Sequence, residues 1–263
     1  IESRGLGDVY KRQIDNNGND GTDIFENIEV LRFTDQDFDF ASFISEDNTL
    51  EEPLNFSGTN KNDFLIGTEF KDVIKGLRGN DKLYGKEGDD EIYGNSGKDK
   101  LYGEDGDDYL EGGSSKDKLY GGSGQDILFG GSSADKLYGG AGNDKLYGGS
   151  SSDKLYGQSG DDYIKGHSGN DKLYGSTGND ILWGGVGKND LYGGSGNDIF
   201  KLNAGKGYDR IRDFKKGEDK IDISDFDLDS IRIVDSGKHT KVYKGSKDLL
   251  AIIYNEDDIS LSD

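Results

Sequence analysis

The sequence predicts an all-β chain, wound as a two-sheet solenoid of nine-residue units and closed by a small β-rich cap. Three observations predict it. From Asp63 to Asp198 the same position recurs every nine residues, and it is Asp in fifteen of sixteen units and Asn189 in the other. An apolar residue follows two positions after each, from Leu65 to Phe200, and Gly follows two after that in all units but the last, which has Leu202. Alternate units carry Asp-Lys-Leu-Tyr, at 81–84, 99–102, 117–120, 135–138, 153–156 and 171–174, so a period of eighteen lies within the period of nine. The unit at 144–147 is Asp-Lys-Leu-Tyr as well. Self-similarity of this kind outranks local propensity in deciding a fold.

Each position in the unit has a physical task. The three residues after the Asp are extended, so one side chain points inward and its two neighbours outward. The Leu/Ile column is therefore the core, and the Lys and Tyr columns face solvent. The period of eighteen places two units in each coil, one per sheet, and the repeat makes about eight coils. The Gly-rich half turns the chain, because Gly accepts positive φ and lets backbone come close to a ligand. Ser115, Ser133 and Ser151 replace one of those glycines eighteen residues apart, so they stack on one edge.

Composition sets the energetic problem. The chain has 263 residues with 43 Gly, 1 Pro, no Cys and 2 His, and a formal charge of −21. Absent Cys removes disulfides, thiolate zinc sites and cysteine nucleophiles. Two histidines, His167 and His239, leave little for histidine metal sites or a Ser-His-Asp triad. The acidity repels nucleic acid and favours cations. Leu, Ile, Val and Phe make up less than a quarter of the residues, close to the composition of disordered chains. Apolar burial alone does not fold such a chain. Carboxylates beside backbone carbonyls form a hard oxygen shell, which suits Ca²⁺ and not Zn²⁺ or Cu²⁺. An ion between neighbouring units turns stacked like charges into coordination. Seven gaps on each of two edges set a ceiling of about 14 ions.

The unit G-G-x-G-N-D-x-L-Y resembles the RTX repeat, the haemolysin-type calcium-binding repeat of secreted bacterial toxins, proteases and lipases. GGSGQDILF at 121–129, GGAGNDKLY at 139–147 and GGSGNDIFK at 193–201 carry the likeness. It implies a right-handed parallel β-roll with Ca²⁺ in its turns. It also implies that Asp81, Asp90, Asp99, Asp108, Asp117, Asp126, Asp135, Asp144, Asp153, Asp162, Asp171, Asp180 and Asp198 are ligands. Turn carbonyls join them, such as those of Gly121, Gly122, Gly124, Gly139, Gly140, Gly142, Gly193, Gly194 and Gly196. Asp63 and Asp72 are weaker candidates, because Lys61 and Phe70 replace the third Gly. Asn189 is weaker because it lacks the charge, and the adjacent Asp190 falls on an outward position.

The flanks complete the expected organisation. Residues 1–13 match nothing downstream and read as non-native or disordered. The start at Ile1 and the absence of Met read as a fragment. Residues 14–55 resemble the end of a preceding RTX-like block, 56–202 form the roll, and 203–263 form a cap and secretion-associated segment. The stretch 198–225 resembles the C-terminal segment of serralysin-type proteins. Ile211, Phe214, Ile221, Ile223, Ile231, Ile233, Val242, Leu249 and Ile252 are the expected cap core, with short antiparallel strands at 219–223 and 231–234.

Other motifs fall away. Asp15, Asn17, Asn19 and Glu26 have EF-hand spacing, but Asp20 stands where the loop requires Gly. No zincin, nucleophile-elbow, P-loop or dinucleotide pattern occurs, so the chain itself is read as no enzyme. Pairs such as Asp89/Asp90, Asp107/Asp108 and Asp161/Asp162 are the repeat Asp and its neighbour, not a glycosidase pair. No run of about 18 apolar residues could span a membrane. The outward Tyr column (Tyr84, Tyr102, Tyr120, Tyr138, Tyr156, Tyr174) could hold a glycan or protein surface, or stack within the sheet. The expected function is a calcium-binding structural module of a secreted, extracellular bacterial protein, exported through type I secretion machinery and folding on Ca²⁺ outside the cell. The alternative is the tail of a secreted metalloprotease or lipase, or a segment of a large adhesin.

Overall fold

The computed structural model describes residues 54–203, 206–235 and 239–254, together with the backbone of Lys11–Gln13 and Val30–Arg32, which pair in parallel. The readings of 1–13 and 14–55, and the EF-hand-like spacing, fall almost wholly outside these residues. The described chain is a parallel β-solenoid of about nine turns with two sheets. One sheet holds ten strands, from Asn55–Ser57 to Lys220–Asp222. The other holds twelve, from Phe64–Ile66 through Gly207–Ile211 and on into three cap strands. Successive units alternate between the sheets, as the double period predicts. All six alternate Asp-Lys-Leu-Tyr units lie in the twelve-stranded sheet, and the odd one at 144–147 lies in the other.

Register is uniform. Leu101 pairs with Leu119, Leu119 with Leu137 and Leu137 with Leu155. The column from Ile74 to Leu191 has no exposed surface, and the strands read exposed-or-partial, buried, partial across Lys, Leu and Tyr. The core is one side chain deep from each sheet. Outside, Tyr84, Tyr102, Tyr120, Tyr138, Tyr156 and Tyr174 stack face to face and Tyr192 extends the row. Ring centroids lie 4.6 to 4.9 Å apart, the spacing of the strands themselves.

The winding runs further than the nine-residue spacing does. Gly207–Ile211 pairs in parallel with the strand at 187–195, and Lys220–Asp222 pairs in parallel with Ile199–Lys201. Residues 219–223 therefore continue the roll, where the alternation predicts an antiparallel strand. The antiparallel part is Ile231–Asp235, His239–Lys244 and Asp248–Tyr254. Its last strand lies parallel on Gly207–Ile211 and covers that edge of the sheet, which would otherwise offer unpaired backbone groups. Ile211, Phe214, Ile223 and Val242 are buried, and Ile221 and Ile231 pack beside them. In the final strand the buried residues are Leu250, Ala251 and Ile253, while Leu249 and Ile252 are only partly covered. A register shift between Val242 and Tyr243 moves the inward face by one position.

Candidate metal centre

The site is built where the Gly-rich half of each unit meets the Asp that ends it. Every interior turn holds positive φ at two places. One is four residues before the Asp, as at Leu77 (76°), Lys86 (99°), Gln158 (83°) and Gly140 (124°). The other is two residues before it, as at Gly124 (132°) and at Ser115, Ser133 and Ser151 (78° to 82°). Seven side-chain-bearing residue types (Leu, Lys, Asn, Glu, Gln, His and Ser) occupy the first position, so stacking against the coils on either side enforces a conformation that L-residues resist.

Each periodic carboxylate is divided between two coils. The N–H of Asp108 donates to Oδ1 of Asp126 at 2.9 Å, one coil on. The same bond links Asp81 to Asp99, Asp117 to Asp135 and Asp162 to Asp180. The second oxygen is different. Oδ2 of Asp81, Asp90, Asp99, Asp108, Asp117, Asp126, Asp135, Asp144, Asp153, Asp162, Asp171 and Asp180 is buried and has no hydrogen-bond partner. The place that each faces is marked by the first Gly of its own turn. A methyl group on Gly121 would lie 2.2 Å from Asp126 Oδ2 and 2.5 Å from the carbonyl oxygen of Gly139, one coil further along. Eleven of the twelve turns show this pairing of carboxylate and carbonyl oxygens before a Gly Cα. Two acceptors converging without a donor is a costly arrangement for a buried anion.

The cost appears in acidity. Burial first, then the carboxylates of Asp108 and Asp144, push Asp126 up to about 8 despite the Asp108 N–H bond. Burial likewise raises Asp90, Asp117, Asp153 and Asp162 to about 8, and Asp99 and Asp144 to about 6. At neutral pH such a group needs a proton or a cation. The donor set is oxygen only: among the described residues no three His, Cys, Asp or Glu side chains converge. One carboxylate with main-chain carbonyls fits a hard cation of the Ca²⁺ type.

The other sequence-predicted residues stand differently. Asp63 and Asp72 use Oδ2 to accept from the N–H and hydroxyl of Thr59 and Thr68. Asp198 is buried and bonded through Oδ1 to Asp180 N–H, but its Oδ2 is not among the orphaned oxygens. Asn189 spends both amide atoms, accepting from Asp171 N–H and donating to Asp209. Asp190 stands in the Lys position of its strand, in register with Lys172, where it is buried by pairing with Arg210 and Arg212 at 2.8 and 2.7 Å. Of the turn glycines, Gly121, Gly139 and Gly193 turn their carbonyls toward a carboxylate, whereas those of Gly122, Gly124 and Gly142 approach the Cα of the glycine eighteen residues on.

Two carboxylates escaped the nine-residue reading. Asp209 pairs in register with Asn189, and Asp219 Oδ1 accepts from Asp198 N–H. Both continue the Asp columns after insertions that stretch the spacing to 20 and 21 residues. Their signal was present as Gly-x-Asp-x-Ile, at Gly207–Ile211 and Gly217–Ile221.

The sequence matches the RTX calcium-binding nonapeptide repeat (4 copies) at 57–92, 84–119, 93–128, 129–164 and 165–200, over half of the chain. The chain belongs to the RTX calcium-binding repeat family. RTX repeats imply Ca²⁺ binding, and the oxygen-only turns fit that ion. The chain is also similar to the solution structure of a subunit of the Azotobacter vinelandii mannuronan C5-epimerase. That likeness has 30% identity over 40% of this chain and 71% of the other, with a TM-score of 0.32. No curated relative matches the chain. Among the described residues no helix is long and apolar enough to cross a membrane.

Proposed function

We propose that this chain is a calcium-switched structural module of a secreted protein, exported unfolded through type I secretion machinery and wound into its roll by extracellular Ca²⁺. The observation that carries the reading is the set of twelve buried, unpartnered Asp Oδ2 atoms, eleven of them facing a glycine carbonyl of the next coil. Bound Ca²⁺ would supply positive charge and coordination where the chain supplies only acceptors. The periodic carboxylates from Asp81 to Asp180 would hold it, with carbonyls such as those of Gly121, Gly139 and Gly193. About a dozen ions lie within the ceiling of about 14 set by the coil gaps.

The chain's own groups explain the switch. Without the ion, winding a coil buries carboxylates with one oxygen unsatisfied, and the chain has few apolar residues to offset that. In a cytosol poor in Ca²⁺ the acidic repeat stays open, as passage through a narrow channel requires. Extracellular sites of this kind bind at roughly 10⁻⁴–10⁻³ M, so the ion adds stability only outside. Residues 203–263 serve as the cap and secretion-associated segment. The Tyr column is read as sheet-stabilising, because its rings stack face to face along the sheet. A calcium titration of the chelator-treated chain, followed by far-ultraviolet circular dichroism and Trp183 fluorescence, tests the switch. Strand signal and a folded Trp183 environment should rise together in millimolar calcium. A complete strand signal in chelator at neutral pH would reject it.

A further inference from the structure

The carboxylates at the two ends of the roll differ from those between them. Four residues before each interior Asp the backbone has positive φ, and Oδ2 receives no donor. Thr59, Thr68 and Lys215 occupy the same place before Asp63, Asp72 and Asp219, and none of the three has positive φ. In each, the N–H turns onto Oδ2: Thr59 to Asp63 at 2.6 Å, Thr68 to Asp72, and Lys215 to Asp219 at 2.8 Å. A β-branched Thr is poorly suited to positive φ, so its identity selects the closed form of the turn.

The last turns differ from the interior ones in two more ways, and at Gly193 a methyl group would meet Asp198 Oδ2 with no carbonyl oxygen among its nearest atoms. At Gly184 a methyl group would meet Asn189 Nδ2 at 2.5 Å and Asp209 Oδ1 at 2.4 Å. Interior turns place a carboxylate oxygen and a carbonyl oxygen there. The amide thus puts a donor where the others keep an acceptor, and it bonds Asp209 at 2.8 Å. One turn on, the Lys215 ammonium donates to the carbonyl of Gly194 at 2.6 Å.

We propose that calcium enters only the interior turns, from Asp81 to Asp180, and that donors of the chain itself close both ends of the roll without metal. This rests on the calcium reading above and sets its limits. It gives each end a metal-free closure against which the ion-dependent coils stack.

The test counts calcium bound per folded 263-residue chain, by atomic emission after desalting from saturating calcium. The unsubstituted chain should bind no more than the twelve ions its unpartnered oxygens allow. Asn189→Asp should bind one more, because it restores an unpartnered carboxylate opposite Asp209. Thr68→Gly combined with Phe70→Gly should also gain one, by letting the turn before Asp72 open. Asp209→Asn should leave the count unchanged. The proposal is overturned if Asp209→Asn loses an ion, or if the unsubstituted chain binds more than twelve. Folded Asn189→Asp and Thr68→Gly/Phe70→Gly proteins with unchanged counts overturn it as well. If neither gain variant folds, Asp209→Asn decides. A chain that binds no calcium at all defeats the underlying reading instead.

Discussion

Replacing Gly121 with Ala puts a carbon into the space that the account reserves for an ion. The added methyl would sit 2.2 Å from Asp126 Oδ2 and 2.5 Å from the Gly139 carbonyl, both far inside van der Waals contact. Gly121 has ordinary negative-φ backbone, so the penalty is steric and electrostatic rather than conformational. Overpacking of this kind costs about 1–3 kcal/mol. Losing one ion held at a hundred times its Kd removes about 2.7 kcal/mol more. Together these predict a loss near 4 kcal/mol in calcium, or about 10 °C in Tm for a chain of this size. Gly217→Ala is the matched control: its methyl meets nothing within 4 Å, and only its φ of 89° is strained. That should cost about 1–2 kcal/mol. Thermal unfolding followed by circular dichroism, at several calcium concentrations, measures both. The Gly121→Ala deficit should grow with calcium and the Gly217→Ala deficit should not. Equal, calcium-independent deficits would refute the reasoning.

Three further outcomes follow from the same geometry. In the absence of calcium, the periodic Asp groups from Asp81 to Asp180 have folded-state values raised from 3.8 to about 6–8. Protonated, they no longer oppose winding, so the metal-free roll should be most stable near pH 4 and lose stability as pH rises toward about 8; circular dichroism in chelator checks this, and stability that rises with pH contradicts it. Leu137→Ala removes a fully buried ladder side chain and should cost about 2–5 kcal/mol in calcium, by denaturant unfolding. Gln158→Ile forces a β-branched residue into φ of 83° and should cost at least about 1–2 kcal/mol, whereas Gln158→Gly should be neutral or stabilising in the same assay.

Much of this molecule is legible in its sequence because one physical period governs it. The Asp, Leu and Gly columns each hold a fixed spacing, and the second period of eighteen in Asp-Lys-Leu-Tyr reveals two sheets. Reading stops where the period stops. Asp209 and Asp219 sit in the same columns, but their two- and three-residue insertions hide them from a strict count. The cap misled for a related reason: Leu249–Ile253 is apolar throughout, so the sequence does not say which side chains point inward, and a register shift decides. The sign of φ was least legible. Leu77, Lys86, Glu104, Gln158 and His167 all hold positive values although none is Gly, because the coils on either side dictate the turn. Thr59 and Thr68 depart from it, and that departure separates a closed turn from an open one.

Anomalous X-ray diffraction from crystals of the calcium-loaded chain tests the central claim most directly. Ion peaks should lie between Oδ2 of the Asp81–Asp180 columns and glycine carbonyls of the adjoining coil, with none at Asp63, Asp72 or Asn189. Peaks scattered over the acidic surface, with those Oδ2 atoms still facing bare carbonyls, would contradict it.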